Sequence, residues 1–154
     1  MRLSKNFSLK ELTKSTTALR LGIDNNPTQE QLVNLTALTS CVLQPIRNTH
    51  GSVMINSGLR VQELNRTIGS KDSSQHTLGM AADIECPALD NLLLAKWIIG
   101  NLEFDQCILE FYTPNNPTSG WVHVSYCLSG VNRKNILRAS RSPKKGVIYE
   151  NGLQ

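Results

Sequence analysis

Residues 74–86 read Ser74-Gln75-His76-Thr77-Leu78-Gly79-Met80-Ala81-Ala82-Asp83-Ile84-Glu85-Cys86, a passage from a polar loop into an apolar strand. The residues before it, Gly69 to Ser74, are small, polar or charged and have the composition of a loop. From Ala81 to Cys86 the pattern is that of a buried strand, broken only by Asp83 and Glu85, which share one strand face. Gly79 and the two alanines allow a tight turn and a close approach of neighbouring backbone.

Upstream, two helix starts are written as capping boxes. Ser8-Leu9-Lys10-Glu11 follows Phe7, a candidate hydrophobic staple, and Thr28-Gln29-Glu30-Gln31 follows Pro27. Leu32, Leu35, Leu38, Val42, Leu43 and Ile46 then recur at helical spacing, and Pro45 is expected to stop or bend that helix near its end. His50 lies in a polar turn and reads as a surface residue without a role. Val53–Asn56 predicts a short strand, Val61–Ile68 a short helix, and Leu89–Ile99 a helix closed by Gly100. Gln106–Tyr112 and Trp121–Cys127 are rich in β-formers and flank the turn-rich Thr113–Gly120, which predicts a hairpin with a long loop. Helices first and antiparallel strands later make one α+β domain over residues 1–154, with N-terminal helices packed on a small antiparallel sheet.

Composition narrows the function. No apolar run approaches the ~20 residues a membrane helix needs, and no apolar signal-peptide core follows Met1, so synthesis in the cytoplasm and no membrane partner are expected. The four cysteines are widely spaced without a C-x-x-C pair, which argues against a zinc ribbon and for reduced, mostly buried thiols. Net charge is +4, with the excess late in Arg133, Lys134, Arg138, Arg141, Lys144 and Lys145. That cluster reads as a solvated basic tail. It lacks the interleaved aromatics and the motifs of nucleic-acid binders, so no nucleic-acid partner is expected.

The chemistry concentrates in His76, Asp83 and, forty residues later, His123 of Trp121-Val122-His123. A catalytic zinc site uses three protein ligands from the N, O and S set and leaves a fourth position to water. Two imidazoles and one carboxylate leave the metal with net positive charge, which acidifies water and polarises a carbonyl. A His and an Asp seven residues apart are, taken alone, more often a surface pair.

The wording around them resembles a known family: the zinc D-alanyl-D-alanine carboxypeptidases and L-alanyl-D-glutamate endopeptidases of the Hedgehog-type metallopeptidase fold, in their short, phage-associated branch. The resemblance spans nearly the whole chain: Phe7-Ser8-Leu9-Lys10-Glu11-Leu12, Val42-Leu43-Gln44-Pro45-Ile46-Arg47, Ile55-Asn56-Ser57-Gly58-Leu59-Arg60, Asn65, Ser74-Gln75-His76 with Gly79 and Ala81-Ala82-Asp83, Phe104-Asp105-Gln106, and Trp121-Val122-His123-Val124-Ser125. It implies that His76, Asp83 and His123 hold Zn2+. It implies that Arg60 neutralises a developing oxyanion or a substrate carboxylate, and that Ser74 lies at the substrate cleft, although Ser74 also reads as a plain turn residue. It further implies a monomer that hydrolyses a peptide bond in peptidoglycan, acting on the wall after release or as part of a phage particle.

One position departs from the family. Many relatives carry an acid three residues before the last histidine, as general base, and here that position is Gly120. Glu110, Asp105 and Glu85 are the candidates to replace it. Pairing the two predicted hairpin strands sets Tyr112 beside Trp121 and Glu110 beside His123, which favours Glu110. A one-residue slip would turn it away. The rival is a catalytically weak wall-binding or structural module that kept the metal site, for which Gly120 is the best support.

Overall fold

A computed structural model describes residues 1–154. Both capping boxes form: Ser8 opens α1 (Leu9–Thr13) and Thr28 opens α3 (Gln29–Leu38), each side chain accepting from the third backbone N–H of its helix. Between them lies α2 (Thr16–Leu21), which ends on Gly22. Pro45 does not stop the helix. A π-helical segment (Thr39–Leu43) precedes α4 (Gln44–His50), and Pro45 sits in the first turn of α4, where its missing N–H is least felt. His50, expected on the surface, instead packs edge-on against Trp97 with ring centroids 4.7 Å apart.

The strands follow as β1 (Met54–Ser57), β2 (Ala81–Glu85), β3 (Gln106–Glu110), β4 (Trp121–Ser125), β5 (Asn135–Ser142) and β6 (Gly146–Asn151), with α5 (Gln62–Thr67) after β1 and α6 (Asn91–Asn101) after β2. Gly100 lies inside α6 rather than closing it, and the chain leaves the helix at an extended Leu102. The six strands form one sheet in the order β1-β2-β4-β3-β5-β6. Every neighbouring pair is antiparallel except β3 and β5, so the sheet is mixed rather than purely antiparallel.

One face of this sheet is the core. Ala82, Ile84, Cys107, Leu109, Val122 and Val124 are buried against Leu12, Leu35, Leu38, Val42, Leu43 and Ile46 of the N-terminal helices, and against Leu94 and Ile98 of α6. The apolar helical pattern read from Leu32 to Ile46 is therefore the packing surface of the sheet, with Leu32 at its partly buried margin. Alternation then sends Asp83, Ile108, Glu110, Trp121 and His123 to the opposite face. The late basic cluster is not a tail. It belongs largely to the β5–β6 hairpin, and three of its members are paired: Arg133 with Asp105, Lys134 with Glu103 and Arg138 with Glu150. All four cysteines are free; Cys86 and Cys107 are buried and Cys41 is exposed. No helix is long and apolar enough to cross a membrane.

Candidate metal centre and cleft

The ligating atoms offered by His76, Asp83 and His123 lie within 4.8 Å of one another, and all three residues are buried. Three local structures bring them together. Ser74 caps a 3-10 turn (Gln75–Leu78), its Oγ accepting from the His76 backbone N–H at 3.4 Å. Gly79 closes that turn at φ +72°, and a Cβ there would stand 2.7 Å from the Gln31 carbonyl of α3, so only glycine fits. Asp83 and His123 are direct partners across the β2–β4 ladder and share its outer face.

The proton positions argue for a cation. A carbonyl only accepts, so the 2.7 Å contact between His76 Nδ1 and the Gly58 carbonyl places the proton on Nδ1. Nε2 then turns a lone pair toward Asp83 Oδ1 at 3.3 Å. Two acceptors facing each other need a positive charge between them. Burial lowers the pKa of His76, more strongly than Asp83 raises it, so a second proton on that ring is disfavoured. Burial alone would raise the Asp83 carboxyl, and positive charge at the imidazoles is what draws it below the usual carboxylate range; with the His76 ring neutral, a cation has to supply that charge. His123 Nδ1 approaches the same Asp83 oxygen at 3.0 Å. Two nitrogens and one carboxylate, with one ring fixed from behind by a backbone carbonyl, are a donor set suited to Zn2+.

These residues sit in the floor of a cleft of about 810 Å³ that also takes in Arg60, Ser74, Gln75, Glu110, Trp121 and Arg133. Arg60 donates to Ser74 Oγ at 3.5 Å, so Ser74 is both a turn residue and a wall of the cleft. Burial lowers the Arg60 pKa, and the Asp83 and Glu110 carboxylates counter it. Its Nε, like Gln75 Oε1, is buried without a hydrogen-bond partner.

The three candidate bases separate cleanly. Asp105 accepts from Arg133 at 3.0 and 2.7 Å and from Gln75 at 2.8 Å. Chiefly through Arg133, its pKa is held at about 2. Glu85 accepts from Asn56 and Asn91 at 2.9 and 3.2 Å and does not line the cleft. Glu110 has no ion pair. Burial first, and the Asp83 charge second, raise its pKa to about 7. The Trp121 indole N–H lies outside full hydrogen-bonding geometry and, with His123 and Arg60, only moderates that rise.

The expected register is corrected by two residues. Glu110 pairs with Trp121 and Ile108 with His123, because β3 ends at Glu110 and Phe111 turns away with φ 56°. A two-residue shift preserves the face, so Glu110 stands diagonal to His123, ~7–8 Å away in the ladder, instead of directly opposite. Gly120 also gains a physical account. At φ +64° its Cβ would lie 1.9 Å from the Glu110 carbonyl oxygen, so the backbone of Glu110 fills the space an acid at 120 would need.

No curated protein matches the chain. A family profile described as Peptidase M15 matches residues 5–125, a span that contains His76, Asp83, Glu110 and His123 and stops before β5. With most of its length inside that match, the chain belongs to the peptidase M15 family.

Proposed function

We propose that this peptidase is a zinc-dependent hydrolase of a peptide bond in peptidoglycan stem peptides, of the D-alanyl-D-alanine carboxypeptidase or endopeptidase kind. The observation that carries the reading is the convergence of His76, Asp83 and His123, with the half-buried Glu110 carboxyl in the same cleft. Those three residues would hold the metal, which when bound supplies Lewis acidity toward a carbonyl and toward water.

Glu110 takes the proton of the attacking water and returns it to the leaving amine. A base works best when its pKa lies near the working pH, and burial supplies that for Glu110. Arg60 faces the negative charge that develops on the carbonyl oxygen; its partnerless Nε is a donor already desolvated for that task. Ser74 orients Arg60 and lines the substrate path. The protein acts as a monomer, on wall peptides reached after release from the cell or from a phage particle.

The rival reading, a wall-binding module without turnover, leaned on the glycine at position 120. Against it speaks Glu110, an acid on the same sheet face as His123 and in the same cleft. Mass spectrometry of muropeptides after digestion, with and without chelator, tests the proposal. A chelator-sensitive mass loss identifies the bond, and unchanged muropeptides with zinc present would favour the binding module.

A further inference from the structure

The sheet face that carries the metal centre does not end at Glu110. Glu110 is paired with Ala139 of β5, and Ala139 with Tyr149 of β6. Leu137 and Arg141 of β5 and Val147 and Tyr149 of β6 line the same cleft as His76 and Glu110. This whole wall lies beyond residue 125, outside the family match.

Phe111 is the joint between the two walls. Strand alternation after Glu110 would send it to the core face, but its φ of 56° turns it into the cleft. A bulky residue with φ above zero is a backbone outlier, and such strain persists where the surroundings enforce it. Here the ring tilts against Trp121 at 5.3 Å and carries the Arg141 guanidinium 4.5 Å above its centroid. Arg141 is exposed and, unlike Arg133, Lys134 and Arg138, forms no ion pair.

A guanidinium whose flat face rests on an aromatic ring keeps its edge free, and that edge matches the two oxygens of a carboxylate. Two strand spacings and four residues separate Arg141 from His123 along the sheet, ~16 Å between Cα atoms. The side chain leans back over Phe111, so about three residues of extended peptide cover the remaining span. Leu137, Val147 and Tyr149 give the intervening residues an apolar floor.

Resting on the peptidase reading above, we propose that Arg141, presented on Phe111 by the C-terminal hairpin, is a specificity-determining residue. It takes a carboxylate that the substrate peptide carries about three residues from the bond that is cut. Arg60 attends the reacting carbonyl and Arg141 the distant charge, so the cleft measures both the sign and the spacing of its ligand.

The test uses two synthetic stem pentapeptides, read at their terminal D-alanyl-D-alanine bond, that differ only in whether the α-carboxylate of the D-glutamyl residue, the third residue from that bond, is free or amidated. Binding is measured by calorimetry in the Glu110→Gln background, and turnover with zinc-loaded protein carrying Glu110. Arg141→Ala should weaken binding of the free-carboxylate peptide by about 5- to 20-fold, the worth of one charge-assisted contact. It should raise KM in the same proportion and leave kcat and the amidated peptide unchanged. Arg141→Glu should reverse the preference, and Arg141→Lys should restore part of it. Melting temperatures should fall by no more than about 1–4 °C, the worth of one exposed contact on Phe111. Equal effects on both peptides, no effect on either, or no binding of either would overturn the proposal. Arg141-dependent selectivity without any cleavage would instead sink the peptidase reading and leave the subsite standing. If the parent protein and the Arg141→Ala variant cleave both peptides alike, the subsite falls and the peptidase reading stands.

Discussion

Burying the Glu110 carboxyl lifts its pKa from 4.5 to about 7, and that shift is a statement about stability as well as catalysis. Between those two values the folded, metal-free protein holds a proton that the unfolded chain has released. Stability conferred by the neutral form is therefore complete below pH ~4.5 and is lost as pH rises through ~7. Glu110→Gln stays neutral throughout and escapes the loss. At pH 8 it should stabilise the metal-free protein by on the order of 2–3 kcal/mol, while lowering turnover of the zinc-loaded enzyme by ~10² to 10⁴. Denaturant titration of both proteins at pH 5 and pH 8 checks the first part. A gap that does not widen with pH would mean that Glu110 ionises without hindrance. Gly120→Asp, which places an acid three residues before His123, should rescue nothing. The added Cβ meets the Glu110 carbonyl at 1.9 Å in left-handed backbone, so the variant should lose about 2–4 kcal/mol in a urea melt.

At the scale of elements, what the sequence shows depends on whether the signal is local. The capping boxes at Ser8 and Thr28, the buried strand at Ala81 and the β-formers around Trp121 are local patterns, and each became the expected element. Pro45 misleads because a π-helical turn just before it absorbs the disruption, and no residue type announces such a turn. The β5–β6 hairpin was hidden because a run of spaced basic residues such as Arg138 and Arg141 looks like solvated tail until Glu150 and Phe111 are placed beside them. The convergence of His76, Asp83 and His123 was legible through their motif, and the sheet face that Glu110 shares with Asp83 and His123 through strand parity, which survives an error of two residues but not of one. Asp105 shows the limit. Its ties to Arg133 and Gln75 are contacts between separate elements, so the sequence could not show that this carboxylate is held in an ion pair. Asp105→Asn should cost about 1–3 kcal/mol at pH 7 through the lost charged hydrogen bonds. The carboxyl is depressed to about 2, so its contribution is present above pH ~4 and disappears as pH falls through ~2. Acid unfolding curves of the two proteins should therefore converge near pH 2. A difference that persists unchanged there would show that packing, not charge, is the origin.

For the whole molecule, the helices and core face give the sheet its rigidity, and the opposite face carries the His76, Asp83 and His123 cluster together with Glu110. A site with two lone pairs opposed at 3.3 Å is a source of instability without a cation and a source of stability with one. A ligand that binds only the folded state stabilises it by RT ln(1 + [L]/Kd), ~4.1 kcal/mol at a thousandfold excess over Kd. For a chain of this length that corresponds to a rise in Tm of roughly 8–16 °C. Zinc added to chelator-stripped protein at pH 7.5 should produce a rise of that order, and His76→Ala or His123→Ala should abolish it. The rise should also fade with acid, because protons compete for the imidazoles. Burial lowers the His76 pKa, so the competition at that ring should set in below the free-histidine value of ~6.5. Differential scanning fluorimetry across pH 4–8 reads both effects at once. A zinc-dependent rise that survives both alanine substitutions, or one undiminished at pH 4, would place the bound metal on other residues and leave the converging triad without its cation.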